Sequence, residues 1–472
     1  YNTPFAGMTR EADPTVTIQA HTSSRERKRS AAQTQFRLAA GWLLLGVGAL
    51  AVAGLFAILL VLSRTPGTQE LFPWVDFFRT ALVVHVDHSV LIWFLAFGGV
   101  LWTLSGVRYS GVQWSALGLA AAGALVVALA PFAGAGDPLM NNYVPVLQHP
   151  LFFLGLALFG LGVAVPLVAT SLSLQRLAAA WREADAIHVG IISGAWCALA
   201  ALLVLIWSYV QVPDTFTGQA YFEYLFWGGG HLLQFAYTQL MLAAWLWLAR
   251  QTGLRLPLSE RALSMLLVLG ALPVLAAPLL HLLYGSTAAE TRLGYTRLMQ
   301  FGGGIAAIPI GLALLVALWR GPKVERSVLA LRRALWTSLL LFGIGGLIGA
   351  LIGGVNTVIP AHYHGSIVGV TLAFMGLSYH LLPSFGFPRI PLRLARVQPL
   401  VYAAGQLLHV TGLAVSGAMG IQRKTAGAAQ GLDRLPEILA MGVMGIGGLL
   451  AVAGGVLFVV AVLTAVWRAI RD

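Results

Sequence analysis

Cysteine is almost absent from this chain. Its 472 residues include one cysteine, Cys197, inside an apolar stretch. A single cysteine excludes an internal disulfide, a CxxCH haem-c attachment and any iron–sulfur or copper centre built on several thiolates, so an electron-entry group of those kinds belongs to a partner. Charge is scarce too. Only 10% of residues are Asp, Glu, Lys or Arg, whereas a soluble domain carries about 25%. The two-residue alternation of a membrane β-barrel is also missing. What is present is a composition 58% hydrophobic with a mean hydropathy of +0.81, which marks an integral membrane protein.

Stretches long enough to cross about 30 Å of hydrocarbon number twelve, from 39–63 to 438–467. Lipid satisfies no exposed backbone group, so such runs are helices. The expected fold is an all-α bundle of twelve transmembrane helices. Residues 1–38 read as a polar tail without the apolar core of a signal peptide, 39–467 as the membrane domain, and 468–472 as a second tail. Most of the 29 lysines and arginines lie in these tails and in the loops after even-numbered segments. Arg25, Arg27, Lys28, Arg29, Arg332 and Arg333 are examples. By the positive-inside rule both termini are cytoplasmic, in the inner membrane of a bacterium or archaeon. The net charge of +12 is then a topology signal, and no nucleic-acid partner is expected.

Six histidines fall near the outer ends of four segments. His85 and His88 open segment two (80–106), His231 opens segment six (223–249), His281 closes segment seven (262–284), and His362 and His364 open segment ten (361–383). At 1.5 Å per helical residue each lies roughly 5–15 Å below the outer helix end, so they can meet. Ionisable groups inside hydrocarbon are costly and mark function, and imidazole is the usual nitrogen donor to haem iron and copper. Residues two apart on a helix point about 200° apart, so His362 and His364 suit two centres on opposite sides of one helix. His85 and His88, three apart, share a face and leave room for one axial ligand. Asp87 beside them is a candidate orienting carboxylate. His149, His188, His380 and His409 read as helix–helix hydrogen-bonding residues, and His21 lies in the tail.

Ligands on helices two, six, seven and ten of twelve resemble the catalytic subunit I of the haem-copper oxidase superfamily, which includes terminal oxidases and nitric oxide reductases. The sharpest motif is Ala361-His362-Tyr363-His364, similar to the family's AHFH. The resemblance implies that His362 holds the reactive high-spin haem and His364 the low-spin haem. His88-Ser89-Val90-Leu91-Ile92-Trp93-Phe94 resembles the helix-two run that starts at the other low-spin ligand, which favours His88 over His85. Gly230-His231 and His281, within 278–285, are similar to the non-haem metal ligands of helices six and seven. Ile308-Pro309-Ile310-Gly311 resembles the helix-eight IPTG run. Gly420-Ile421-Gln422-Arg423-Lys424 resembles GMPRR, which implies that Arg423 and Lys424 bind haem propionates. The cofactors implied are two haems, of b type, and a non-haem copper or iron.

The departures from that pattern set the functional expectation. His281 is flanked by Leu280 and Leu282, so one of two adjacent metal histidines is missing. Four residues after His231 stands Phe235, where oxidases carry a crosslinked tyrosine. Gln234, an oxygen donor one turn from His231, and Tyr237 are further candidates for the site. No lysine lies in a segment and no carboxylate in the inner half of one; Glu70, Glu223 and Glu290 in outer loops are candidate proton donors. The expectation is a haem-copper-type respiratory oxidoreductase that joins two nitric oxide molecules to nitrous oxide. The alternatives are a divergent terminal oxidase with a radical donor at Tyr237 or Tyr284, and an electron-transfer or scaffold subunit with a degenerate second-metal site. A companion membrane-anchored subunit carrying haem c or copper, or a quinol, is expected as electron donor.

Overall fold

The structure is a computed structural model that describes residues 14–68, 75–106, 110–134 and 136–471. Glu70 lies outside the described residues. Among the described residues twelve helices are long and apolar enough to cross a membrane, as their hydropathy predicts. Spans one to six are Ala32–Arg64, Phe77–Leu104, Gly111–Ala133, Pro150–Ser171, Ala186–Gln211 and Gly218–Gln251. Spans seven to twelve are Glu260–Tyr284, Ala289–Arg320, Leu329–Gly349, Val358–Phe385, Leu392–Ala418 and Leu435–Arg471. The first helix begins at Pro14 and runs unbroken into span one, so the polar stretch before span one is helical from that point.

Neighbours in sequence pack as pairs: one with two, three with four, five with six, nine with ten, and eleven with twelve. Span twelve returns onto span one, and span ten touches both six and eleven. Span ten thus lies between spans six and eleven, and span nine also packs against span eleven. The backbone of span ten meets span nine directly, since a Cβ on Gly365 would lie 2.6 Å from the Gly345 Cα. Small residues are what allow such approach in lipid, where no hydrophobic force draws helices together. Midway through the bundle Phe97 stacks on Phe374 at 4.1 Å and Trp93 packs edge-on against Phe97, Phe374 and Phe458. This aromatic layer ties spans two, ten and twelve beneath the histidines.

Three irregularities aim side chains. Span two contains a π-helical turn, Asp87–Ile92. Span seven tightens to a 3-10 turn at Leu272–Ala276, where Pro273 interrupts the hydrogen-bond ladder. Between spans three and four a two-stranded antiparallel ladder, Pro138–Leu139 with Val146–Leu147, holds the intervening loop.

Candidate functional site

On one side of span ten, the side chains of spans one, two, ten, eleven and twelve meet. His85 Nδ1 donates to Ala53 O at 2.9 Å; a carbonyl only accepts, so the proton sits on Nδ1 and leaves Nε2 as a free lone pair. His409 Nδ1 donates in the same way to Met444 O at 2.9 Å. Its ring lies 4.7 Å from that of His364, and neither nitrogen of His364 has a partner among the described residues. His85, His409 and the Arg64 guanidinium are all close enough to His364 to act on its charge. Arg64 Nε and Nη2 are buried without hydrogen-bond partners, an expensive state for a guanidinium. Sequence reasoning missed Arg64, which ends span one outside any of the motifs.

His88 faces elsewhere. It is 1% exposed, with Nδ1 3.0 Å from Val84 O and Nε2 3.2 Å from Ala124 O of span three. A neutral imidazole offers one N–H, so one of the two contacts is a hydrogen bond. The expectation that His85 and His88 share a face does not hold, because His88 sits in the π turn, where the residue count per turn changes. His85 turns to span one and His88 to span three. Asp87 is fully buried, and neither carboxylate oxygen has a partner, so it orients neither imidazole.

On the other side of span ten, His362 Nδ1 donates to Gly345 O at 2.7 Å, again leaving Nε2 free. A Cβ on Gly349 would touch the imidazole, so the ring lies against bare span-nine backbone. His362 and His364 thus face different neighbours, as their spacing predicts.

His231 and His281 are held differently. His231 Nδ1 donates to Trp227 O at 2.8 Å, so its Nε2 accepts from the Tyr143 hydroxyl at 2.9 Å. At His281 the chain of donors is also determined. Gln211 Oε1 accepts from the Ser286 backbone N–H and from Ser286 Oγ at 2.7 Å, so Oγ accepts from His281 Nδ1 at 2.9 Å, and Nε2 accepts from the Tyr295 hydroxyl at 2.9 Å. The Tyr295 ring lies between the two imidazoles, 5.7 Å from His231 and 5.8 Å from His281. Burial, reinforced by the Glu223 carboxylate, raises the Tyr143 hydroxyl above its ordinary value and keeps it protonated.

Tyr143 reaches His231 from the loop between spans three and four, and the basic pair holds that loop. Lys424 Nζ donates to Met140 O at 2.5 Å and Asn141 O at 3.2 Å, and Arg423 donates to Asn142 Oδ1 at 2.7 Å. Asn142 in turn donates from its backbone N–H to Glu223 Oε2 at 3.1 Å, and its side-chain amide bonds the other oxygen. Burial, with Arg423 adding to it, lowers Lys424 to about 8.

Other expected members stay apart. Tyr237 packs 4.8 Å from Phe94 in the aromatic layer, and Phe235 is 2% exposed beside Gly302. The Gln234 side chain has no partner among the described residues. Tyr284 is 50% exposed. Glu290, in the first turn of span eight, shows no contact with either histidine among the described residues. No group of three or more His, Cys, Asp or Glu placed to hold a metal occurs among the described residues.

The donor set fits haem. Imidazoles with Nδ1 anchored on a carbonyl and Nε2 free are the usual axial arrangement, and the unpaired Arg64 suits a propionate.

Comparison with known proteins agrees. A family model described as cytochrome c and quinol oxidase polypeptide I matches residues 37–457. An uncharacterised protein of Rickettsia prowazekii (strain Madrid E) is 31% identical, covering 89% of this chain and 94% of that protein. One of Aquifex aeolicus (strain VF5) is 32% identical over 73% of this chain and 85% of its own length. Among solved structures, a haem-copper terminal oxidase dimer determined by cryo-EM superposes with a TM-score of 0.70 at 19% identity, covering 92% of this chain and 84% of that one.

Proposed function

Because this chain belongs to the family of cytochrome c and quinol oxidase polypeptide I, subunit I of haem-copper oxidases, we propose that it is a haem-bearing membrane oxidoreductase acting on a small diatomic gas. His85 and His364 would hold one haem, and His362 a second. One contrast carries this reading: at His85 and His362 the Nε2 lone pair is free, whereas at His231 and His281 it is taken by a phenol. Bound there, the first haem would carry electrons and the second would offer an open iron position to the gas. Arg64, with Arg423 nearer the loop, would pair with the propionates, while the Lys424 ammonium is held by two loop carbonyls. His85 replaces His88 in this assignment, since His88 is turned to span three.

Dioxygen is the substrate this arrangement serves best. The preference for nitric oxide rested on Phe235, that is, on the lack of a phenol beside His231. Tyr143 supplies that phenol from another segment, and Tyr295 supplies a second beside His281. Nitric oxide is the second reading, favoured by proton supply: the three lysines of the chain all lie outside the twelve spans, and the carboxylate next to Tyr143 is Glu223 at the histidine end. Members of this family work with other subunits and electron donors. A companion subunit with haem c or copper, or a quinol, is the proposed donor here, and the histidine end is proposed to face away from the cytoplasm. The test mixes the anaerobically reduced, purified complex with each gas and follows haem oxidation. Rapid oxidation by dioxygen is expected. Turnover of nitric oxide with indifference to dioxygen would reverse the choice, and a complex without haem would end the reading.

A further inference from the structure

The second metal of a haem-copper centre does not fit the residues that stand in its place. We infer that two tyrosine–histidine pairs, Tyr143–His231 and Tyr295–His281, occupy that position and hold protons there without a metal. The inference deepens the gas-site reading and rests on it for the neighbouring haem.

A non-haem copper or iron needs imidazole lone pairs, and ligation is pH-dependent for that reason. Each of these imidazoles has one lone pair, and hydrogen-bond polarity assigns it. Trp227 O fixes the His231 proton on Nδ1. The Gln211 amide oxygen does the same for His281 through Ser286 Oγ. Both Nε2 atoms then accept phenol protons, so both networks have the same direction. A metal would have to displace two buried hydroxyls, one of them on a ring that lies between the histidines. The Tyr143 ring is moreover seated on bare backbone, because a Cβ on Gly230 would overlap it. A third histidine is lacking, as Leu280 and Leu282 flank His281.

Such pairs place two phenol protons within hydrogen-bond reach of neutral bases beside the gas position. Tyr143 also connects outward, since its loop is bonded to Glu223 through Asn142 and to Arg423 and Lys424. The tyrosines are positioning residues for these protons.

Metal content of the purified complex, measured for the parent, His231→Ala and His281→Ala, tests the inference. The expected result is an unchanged count of iron and copper per chain in all three, with haem absorbance showing that the variants fold. Loss of one metal per chain in either variant would overturn it, whereas a copper retained in both belongs to another site and upholds it. A second measurement uses the unaltered protein. When carbon monoxide is photolysed from the reduced complex at cryogenic temperature, only free carbon monoxide is expected, and an infrared band for carbon monoxide on a second metal would overturn the inference. A complex that binds no carbon monoxide fails the proposed haem site instead, and the metal count then decides between the pairs and a metal. In Tyr143→Phe, gas reduction should fall at least tenfold while metal content and the haem spectrum stay as in the parent; a parent rate would overturn the role given to the phenol.

Discussion

At the scale of single residues, the decisive fact about each histidine is which ring nitrogen is free. His85 and His88 differ by three positions yet face spans one and three respectively. Their substitution should therefore have opposite effects. His85→Ala is expected to lose the low-spin haem, seen as loss of its sharp reduced α-band. His88→Ala should keep that band and lose only stability, about 1–2 kcal/mol for one buried hydrogen bond. The reverse outcome would restore His88 as the ligand. The pair was not separable by reading the chain, since a π turn has no simple residue pattern and the motif His88-Ser89-Val90 lines up plausibly with the family. By contrast, the divergence of His362 and His364 was legible, because two residues in a regular helix determine it. Tyr143 and Tyr295 were invisible for another reason. They come from a loop 88 residues before its histidine and from the span after the other, and no local periodicity reports a contact between separate segments.

At the scale of elements, the spans were legible because hydrocarbon demands long apolar runs, and all twelve are present. The loops carry the information that hydropathy does not. The likeness of residues 420–424 to GMPRR implies a propionate site; what the structure shows is that this segment clamps the 138–147 hairpin. Lys424 does so in the left-handed region, φ +61°, a conformation that costs a non-glycine residue roughly 1–2 kcal/mol and that persists where surroundings impose it. Its buried ammonium has a measurable consequence. The folded-state value is lowered from 10.5 to about 8, so below about 8 both folded and unfolded chains carry the proton and the burial penalty is constant. Between about 8 and 10.5 the unfolded chain binds more protons, and stability rises with pH. Thermal unfolding of the purified complex from about pH 7 to about pH 10 should show this rise. Lys424→Met should lack that part of it, and equal slopes in the two proteins would mean that the side chain is solvated.

At the scale of the whole molecule, most of the basic loops and the proposed chemistry occupy opposite ends. The basic loops gather at one end of the bundle, the histidines, tyrosines and Glu223 at the other, and the aromatic layer of Trp93, Phe97, Phe374 and Phe458 separates them. An even number of spans puts both termini on one side, but only the basic loops say which side is the cytoplasm. That orientation decides from which compartment Glu223 can draw protons and on which face a donor subunit must dock. It can be measured simply, because Cys197 is fully buried and leaves the chain without a reactive thiol of its own. Exposed positions exist at each end: Lys323 between spans eight and nine, and Gln422 between spans eleven and twelve. With a membrane-impermeant maleimide, Gln422→Cys is expected to label in intact cells and Lys323→Cys only after the membrane is opened. The opposite pattern would invert the bundle, turn the histidine layer to the cytoplasm, and make a cytoplasmic donor and cytoplasmic protons the direct supply of the site.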